Sequence, residues 1–271
     1  MGTGGLRVEH HTYSGEERYI QASRERSSVI ALGERWRLAT RIDGEEWLDQ
    51  GMGNPEAIDQ SLTDLSRISR WLGGMRGLAT HLYPRLRDRH TEPLRMLDLG
   101  AGGCSIPETI ARWAEGERIP LHIFALDLQH AHLRWAQARL QSRATIVLVQ
   151  GDVVTPPFAD GSVDVVISSL FLHHFTKTAL IQLLPKWVRL ARRSLVMSDL
   201  VRHPVPYWFM KASSPVFARS AITRHDAAIS IRRAYRPQEL QNIAAEAGFP
   251  QARVFTHFPY RMTLVIDQAE S

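Results

Sequence analysis

Four aspartates, a glycine loop and a pair of histidines follow one another in an order that can bind a charged ligand and move a proton. The run Leu94-Arg-Met-Leu-Asp-Leu-Gly-Ala-Gly-Gly-Cys-Ser-Ile-Pro107 carries Asp98 into a loop that holds Gly100, Ala101, Gly102 and Gly103. Glycines at alternate positions remove Cβ atoms where a ligand must come close to the backbone, and the next helix turns its free N–H groups toward the same place. Ser105 and Glu108 have the S-x-x-E spacing of a capping box, which predicts a helix start fixed beside the loop. Asp98, two residues before the first glycine, is expected to reach a ligand ammonium. A pyrophosphate at that point would be repelled.

Three further acids extend the pattern. Asp127 closes the apolar run Leu121–Leu126 about 20 residues beyond the loop, where a carboxylate can accept two hydroxyls of a ribose diol. The alternative is that it caps the following helix. Asp152, in Gln150-Gly-Asp152, can accept from an adenine amino group or can simply begin the turn before Pro156-Pro157. Asp199 ends the run Ser194–Ser198, while Ser168-Ser-Leu-Phe-Leu-His173-His174-Phe175 sets two imidazoles just past the end of another apolar run. A histidine beside a carboxylate is the arrangement of a general base whose tautomer is held by an acid. His173 or His174 is therefore the expected base and Asp199 the orienting acid. The alternative is a histidine pair that only caps a strand end.

The elements that must position these residues are readable in part. Strands are expected at 94–99, 121–126, 144–150, 163–168 and 194–198, alternating with helices, which is the signature of a parallel sheet wound on both faces. Asn54-Pro55 starts a helix whose Leu62, Leu65, Ile68 and Leu72 form an apolar stripe up to Gly73-Gly74. A helix over 238–248 and two short strands, 253–257 and 261–266, close the chain as an antiparallel hairpin. Between the fifth strand and that last helix lie about 35 residues, aromatic first (Tyr207, Trp208, Phe209, Phe217) and basic later (Arg219, Arg224, Arg232, Arg233, Arg236). A connector of that length is expected to be a lid over a pocket, its aromatics suited to a flat or lipophilic ligand. The arginines can grip an anionic group or can line solvated helix faces.

In this order the motifs LDLGAGG, FALD, QGD and SSLFLHHF resemble the class I S-adenosylmethionine-dependent methyltransferases, and in particular the UbiE-like small-molecule branch, over roughly residues 47–266. The resemblance implies an α/β fold with a Rossmann-like seven-stranded sheet and a terminal antiparallel hairpin. It further implies an N-terminal helical cap (46–90), a catalytic domain (91–271) and a lid insertion at about 202–236. Residues 1–45 are expected to be an arm and are assigned no function. By the same resemblance Asp98 and the glycine loop (Gly100, Ala101, Gly102, Gly103) hold the methionine end of S-adenosylmethionine and Asp127 with Leu128 the ribose. Asp152 with Val153 takes the adenine, and Ser168 and Ser169 complete the cofactor set. His173, His174 and Asp199 line the acceptor pocket, and Arg70 or Trp71 touches the cofactor. Cys104 stands where the family usually has a small residue or glycine.

The chain of 271 residues is 44% hydrophobic and has a formal net charge of +5. That is enough to bury one sizeable core. Its basic residues are almost all arginine and scattered, with lysine only at 177, 186 and 211, so a nucleic-acid partner is not expected. No run has the length of a membrane span, and the charged start lacks an apolar signal core, so a cytoplasmic location is expected. The single cysteine excludes an intrachain disulfide, and no metal is implied. The expected reaction is methyl transfer to a hydroxyl of a small aromatic or lipophilic natural product, of polyketide or phenol type. Methylation of nitrogen or carbon, a nicotinamide-dependent reductase, RNA methylation and non-catalytic cofactor binding are the alternatives. A reductase fingerprint would need glycine where Ser105 stands.

Overall fold

The computed structural model describes residues 38, 40–71, 73–87, 92–140 and 145–268. Residues 41–271 form one compact unit. Its centre is a seven-stranded sheet in the order β3-β2-β1-β4-β5-β7-β6. The strands are β1 (Leu94–Leu99), β2 (Leu121–Asp127), β3 (Ile146–Gln150), β4 (Val163–Ser169), β5 (Ala191–Leu200), β6 (Arg253–His257) and β7 (Arg261–Asp267). The first five run parallel, and β7 pairs antiparallel with both β5 and β6. Strand order reverses beside β1, so the crevice at the carboxyl ends of β1 and β4 is where an open α/β sheet receives ligands.

Among the described residues eight α-helices surround the sheet: α1 (Pro55–Trp71), α2 (Gly74–Arg87), α3 (Ser105–Glu117), α4 (His130–Leu140), α5 (Lys177–Leu190), α6 (Pro204–Phe217), α7 (Ala221–Arg233) and α8 (Pro237–Glu246). None of the helices is long and apolar enough to cross a membrane among these residues. One sheet face packs Leu180, Leu184 and Trp187 of α5 and Leu240 and Ile243 of α8 against Leu97, Val166 and Leu195. The other packs Leu78, Leu82 and Leu86 of α2 and Ile110 of α3 against Met96, Ile123, Val165 and Val196. Central strands buried on both faces are near-continuous apolar runs, as parallel strands must be.

Local chemistry sets several boundaries. Asn54 caps α1, its Oδ1 accepting from Ala57 N–H at 2.8 Å. Helix α2 was not anticipated, because Gly74, Gly77 and Pro84 all disfavour helix. Gly77 is there for packing: a Cβ would stand 2.8 Å from the His257 ring on β6. Strand β5 is longer than its apolar run and β3 shorter than expected. The long connector folds as two helices, each with a side-chain cap, His203 for α6 and Ser220 for α7. Helix α7 is tied to α1 by Ser220 N–H donating to Asp64 Oδ2 at 2.8 Å and by the Ser61–Thr223 hydroxyl pair at 2.9 Å. Leu72, and the side chains of Arg70, Trp71 and Phe217, lie outside the described set.

Trp187 is fully buried, and its indole N–H donates to Val153 O at 2.8 Å, joining α5 to the loop after β3. Trp187→Ala should lower the unfolding free energy by about 3–5 kcal/mol in a denaturant titration. A loss below about 1 kcal/mol would show that this face of the core is not built as described.

Candidate active site

The glycine loop is shaped by Asp127. Its Oδ2 accepts from Gly102 N–H at 2.7 Å, and its Oδ1 accepts from Gln129 N–H at 2.9 Å and lies 3.2 Å from His132 Nδ1. The tip of β2 thus holds the loop after β1. The capping box read from Ser105 and Glu108 does not form. The helix is capped by Cys104, whose backbone is left-handed at φ 56° and whose side chain caps nothing. Glu108 turns instead to Arg112 and to Arg139, the latter at 2.6 Å. The Cys104 thiol is fully buried and its pKa is raised by burial, so it fills space and is no nucleophile.

A cavity of about 920 Å³ runs from this loop to the ends of β4, β5 and β7. Of the expected cofactor residues, Gly100, Ala101, Gly102, Gly103, Asp127, Leu128, Asp152, Val153 and Ser169 are on its wall. Gly102, at φ 51°, faces open space: a Cβ there would meet nothing within 4 Å, so the backbone is free for close approach by a ligand. Asp98 and Ser168 are not on the wall. Ser168 Oγ donates to Leu99 O at 2.7 Å and secures the β1–β4 junction. Asp98 is buried beneath the loop with Oδ1 lacking a hydrogen-bond partner among the described residues. Burial, and the charge of Asp127, push its carboxyl well above the usual range. A ligand cation brought near would relieve both effects. Asp152 forms the turn after β3, accepting from Val154 N–H at 2.8 Å, and still borders the cavity.

The two histidines sit in a single 3-10 turn, Leu172–His174, after β4, yet their surroundings differ. His173 is 2% exposed. Its Nδ1 is 2.7 Å from Asp199 Oδ1, its Nε2 is 3.3 Å from Glu46 Oε1, and its backbone N–H donates to Asp199 Oδ2 at 2.8 Å. Carboxylates accept only, so Nδ1 carries a proton; Glu46 Oε1 has no hydrogen-bond partner among the described residues and faces Nε2 at ion-pair distance. Burial alone would lower the pKa of His173, but Asp199 and Glu46 outweigh it and hold the ring up at about 10. The same contacts, against the opposing effect of burial, bring Glu46 down to about 2. The two carboxylates thus favour the protonated ring, which speaks against His173 as the base. Asp199 orients His173, not the neighbouring ring.

His174 is the histidine with a free nitrogen. Its Nδ1 lies 2.6 Å from Asp49 Oδ2, while Nε2 is 4.0 Å from Glu46 Oε1, beyond hydrogen-bond range. Nδ1 therefore carries a proton, and Nε2 has no hydrogen bond among the described residues. Both His174 and Asp49 border the cavity. Glu46, His173 and His174 bring three donor atoms within 4.8 Å of one another, but Arg233 Nη1 stands 3.6 Å from Glu46 Oε1 and already supplies positive charge there.

Glu46 and Asp49 were missed because they lie in a stretch without periodicity, Glu45-Glu-Trp-Leu-Asp49, read as the boundary between arm and cap. The signal was its three acids around two large apolar residues. Asp226 of α7 accepts from the N–H groups of Trp47 and Leu48 at 2.9 and 3.0 Å, and Trp47 stacks on His225 at 3.6 Å between ring centroids. Arg41 donates to the carbonyls of His173 and Phe175 at 2.7 and 2.8 Å. The described part of the expected arm therefore straps the histidine turn.

Residues 97–194 match the family model described as a methyltransferase domain. No curated protein matches the chain. Among solved structures the chain is similar to human N-acetylserotonin methyltransferase in complex with SAM, at 13% identity and TM-score 0.60, over 84% of this chain and 61% of that one. It is similar to a SAM-dependent methyltransferase from Aquifex aeolicus, at 15% identity and TM-score 0.53, over 79% and 98% of the two chains. The plantazolicin methyltransferase BamL, in complex with a triazolic desmethyl analogue and SAH, gives 11% identity and TM-score 0.53 over 80% and 98%. At these identities the likeness is one of fold.

The ion pairs of His173 stabilise the fold fully below its ordinary pKa of 6.5, and that contribution is lost as pH rises through about 10. The gap in melting temperature between the native protein and His173→Gln should accordingly narrow from pH 6.5 to pH 10. A gap that stays constant over this range would mean that the ring is not held as a cation.

Proposed function

We propose that this chain is a class I S-adenosylmethionine-dependent methyltransferase and that it methylates a hydroxyl group of a small aromatic or lipophilic molecule, with His174 as general base. The observation that carries the reading is the single cavity joining the glycine loop to His174. The UbiE-like motif order belongs to the same proposal, as does a small-molecule acceptor in place of a nucleic acid.

The loop residues Gly100 to Gly103, with Asp127 and Leu128 at the tip of β2 and Asp152 and Val153 after β3, would hold the cofactor, and Gly102 leaves the space that it needs. Bound there, S-adenosylmethionine supplies a methyl group made electrophilic by its sulfonium. A phenol with a pKa near 10 is a poor nucleophile at neutral pH until its proton is accepted. His174 Nε2 takes that proton. The imidazolium so formed is stabilised by Asp49 at Nδ1 and by Glu46 at 4.0 Å from Nε2. Leu200, Val205, Phe209 and Met210 give the acceptor end of the wall an apolar lining that can position a lipophilic acceptor, so that proximity supplies much of the rate. Methylation of a basic nitrogen would make little use of a base so placed.

Transfer of labelled methyl from S-adenosylmethionine to a panel of phenols, aliphatic alcohols and amines should put the label on oxygen. Label found only on nitrogen or carbon would contradict the reading. His174→Ala should lower kcat by about 10²–10⁴ while leaving the affinity for S-adenosylhomocysteine unchanged, and Asp49→Asn should lower it less. Normal turnover in His174→Ala would remove His174 from the mechanism.

A further inference from the structure

Among the described residues three arginine side chains are nearly inaccessible to solvent: Arg202, Arg233 and Arg261. The first two are held by the protein. Arg202 forms an ion pair with Glu239 at 2.6 Å and donates to Ala234 O at 2.6 Å. Arg233 donates to His174 O at 2.9 Å and faces Glu46. Arg261 differs. It is 4% exposed and borders the cavity, and among the described residues no hydrogen bond or ion pair engages its guanidinium. The carboxylate whose charge acts on it is Asp199, and both Asp199 oxygens are occupied, by His173 Nδ1 and Leu200 N–H on one and His173 N–H on the other. Burial pulls the pKa of Arg261 down to about 10, against the pull of Asp199. A desolvated guanidinium with no partner is costly, and a fold keeps one only where something else completes it.

Its place in the sheet shows which ligand that is. Arg261 opens β7 and pairs with Leu200 at the end of β5. The glycine loop follows β1, three strands away through β4 and β5, or about 14 Å at the usual strand spacing. The cofactor's own carboxylate belongs at the loop, so Arg261 faces the acceptor, with the histidine turn between. Leu200, its partner across the sheet, and Tyr260, its neighbour in sequence, border the cavity with it, and Val205 and Phe209 line the same cavity. One guanidinium beside the negative Asp199 can neutralise a single negative charge and is poorly matched to a doubly charged phosphate.

We propose that Arg261 receives a carboxylate carried by the methyl acceptor, so that the preferred substrates are hydroxylated lipophilic or aromatic carboxylic acids. This rests on the reading that the β5–β7 end of the cavity holds the acceptor. The carboxylate also fixes the acceptor's orientation, turning one hydroxyl toward His174 Nε2.

The test is calorimetric binding of hexylsalicylic acid and of its neutral primary amide to the complex with S-adenosylhomocysteine, followed by turnover of both. The native protein should bind the acid about tenfold to a hundredfold more tightly than the amide. Arg261→Met should abolish that preference, leaving the amide's affinity within about threefold, and Arg261→Lys should retain part of it. Since no hydrogen bond or ion pair among the described residues holds the guanidinium, Arg261→Met should melt no lower than the native protein, whereas a structural arginine would cost stability. Equal binding of acid and amide by the native protein, or a preference that survives Arg261→Met, would overturn the inference. A binding preference for the acid combined with no label on oxygen would keep Arg261 as the carboxylate site and refute hydroxyl methylation.

Discussion

The site depends on one buried cation, the His173 imidazolium held between Asp199 and Glu46. Removing three charged groups from water is expensive, and the attraction among them offsets that cost only if the geometry is tight. Each partner belongs to a different part of the chain: Asp199 to β5, His173 to the turn after β4, Glu46 to the strap that precedes α1. Satisfying the charges therefore sets the strap against the sheet. Arg41 and Tyr235 add to this, by donating to the carbonyl groups of the same turn.

What the network leaves free matters as much as what it binds. With His173 hydrogen-bonded to Asp199 at Nδ1 and facing Glu46 at Nε2, the adjacent ring is better placed to act toward the cavity, its Nδ1 engaged by Asp49 on the same strap. Electrostatics at this end is thus divided. A paired cation supports the turn, His174 borders the cavity beside it, and at β7 stands a guanidinium with no hydrogen bond or ion pair among the described residues.

Much of the sheet was legible in the sequence, since buried parallel strands are unbroken apolar runs and the acids at their ends mark the crevice. The terminal hairpin was legible for the same reason, its two runs flanking Pro259. Helix α2 was not, because Gly74, Gly77 and Pro84 argue locally against helix, while the need for Gly77 beside the His257 ring appears only in the packing. The capping box failed because Ser105 lies one residue inside the helix, where its hydroxyl cannot cap. At the site, the histidine pair and Asp199 were visible as residue types at strand ends, whereas the pairing among them was not. Which nitrogen meets which carboxylate depends on Glu46 and Asp49, which arrive from more than a hundred residues away, and on a strap with no period to announce it. Arg261 was hidden for a similar reason, since a lone arginine at the start of a strand gives no sign of being buried without a partner.

The most direct test of this account is ¹⁵N NMR of the histidine side chains as a function of pH. His173 should show both ring nitrogens protonated from pH 6.5 up toward its titration near pH 10. A neutral His173 ring at pH 8, with an unprotonated Nε2, would contradict the account and return His173 to the role of base.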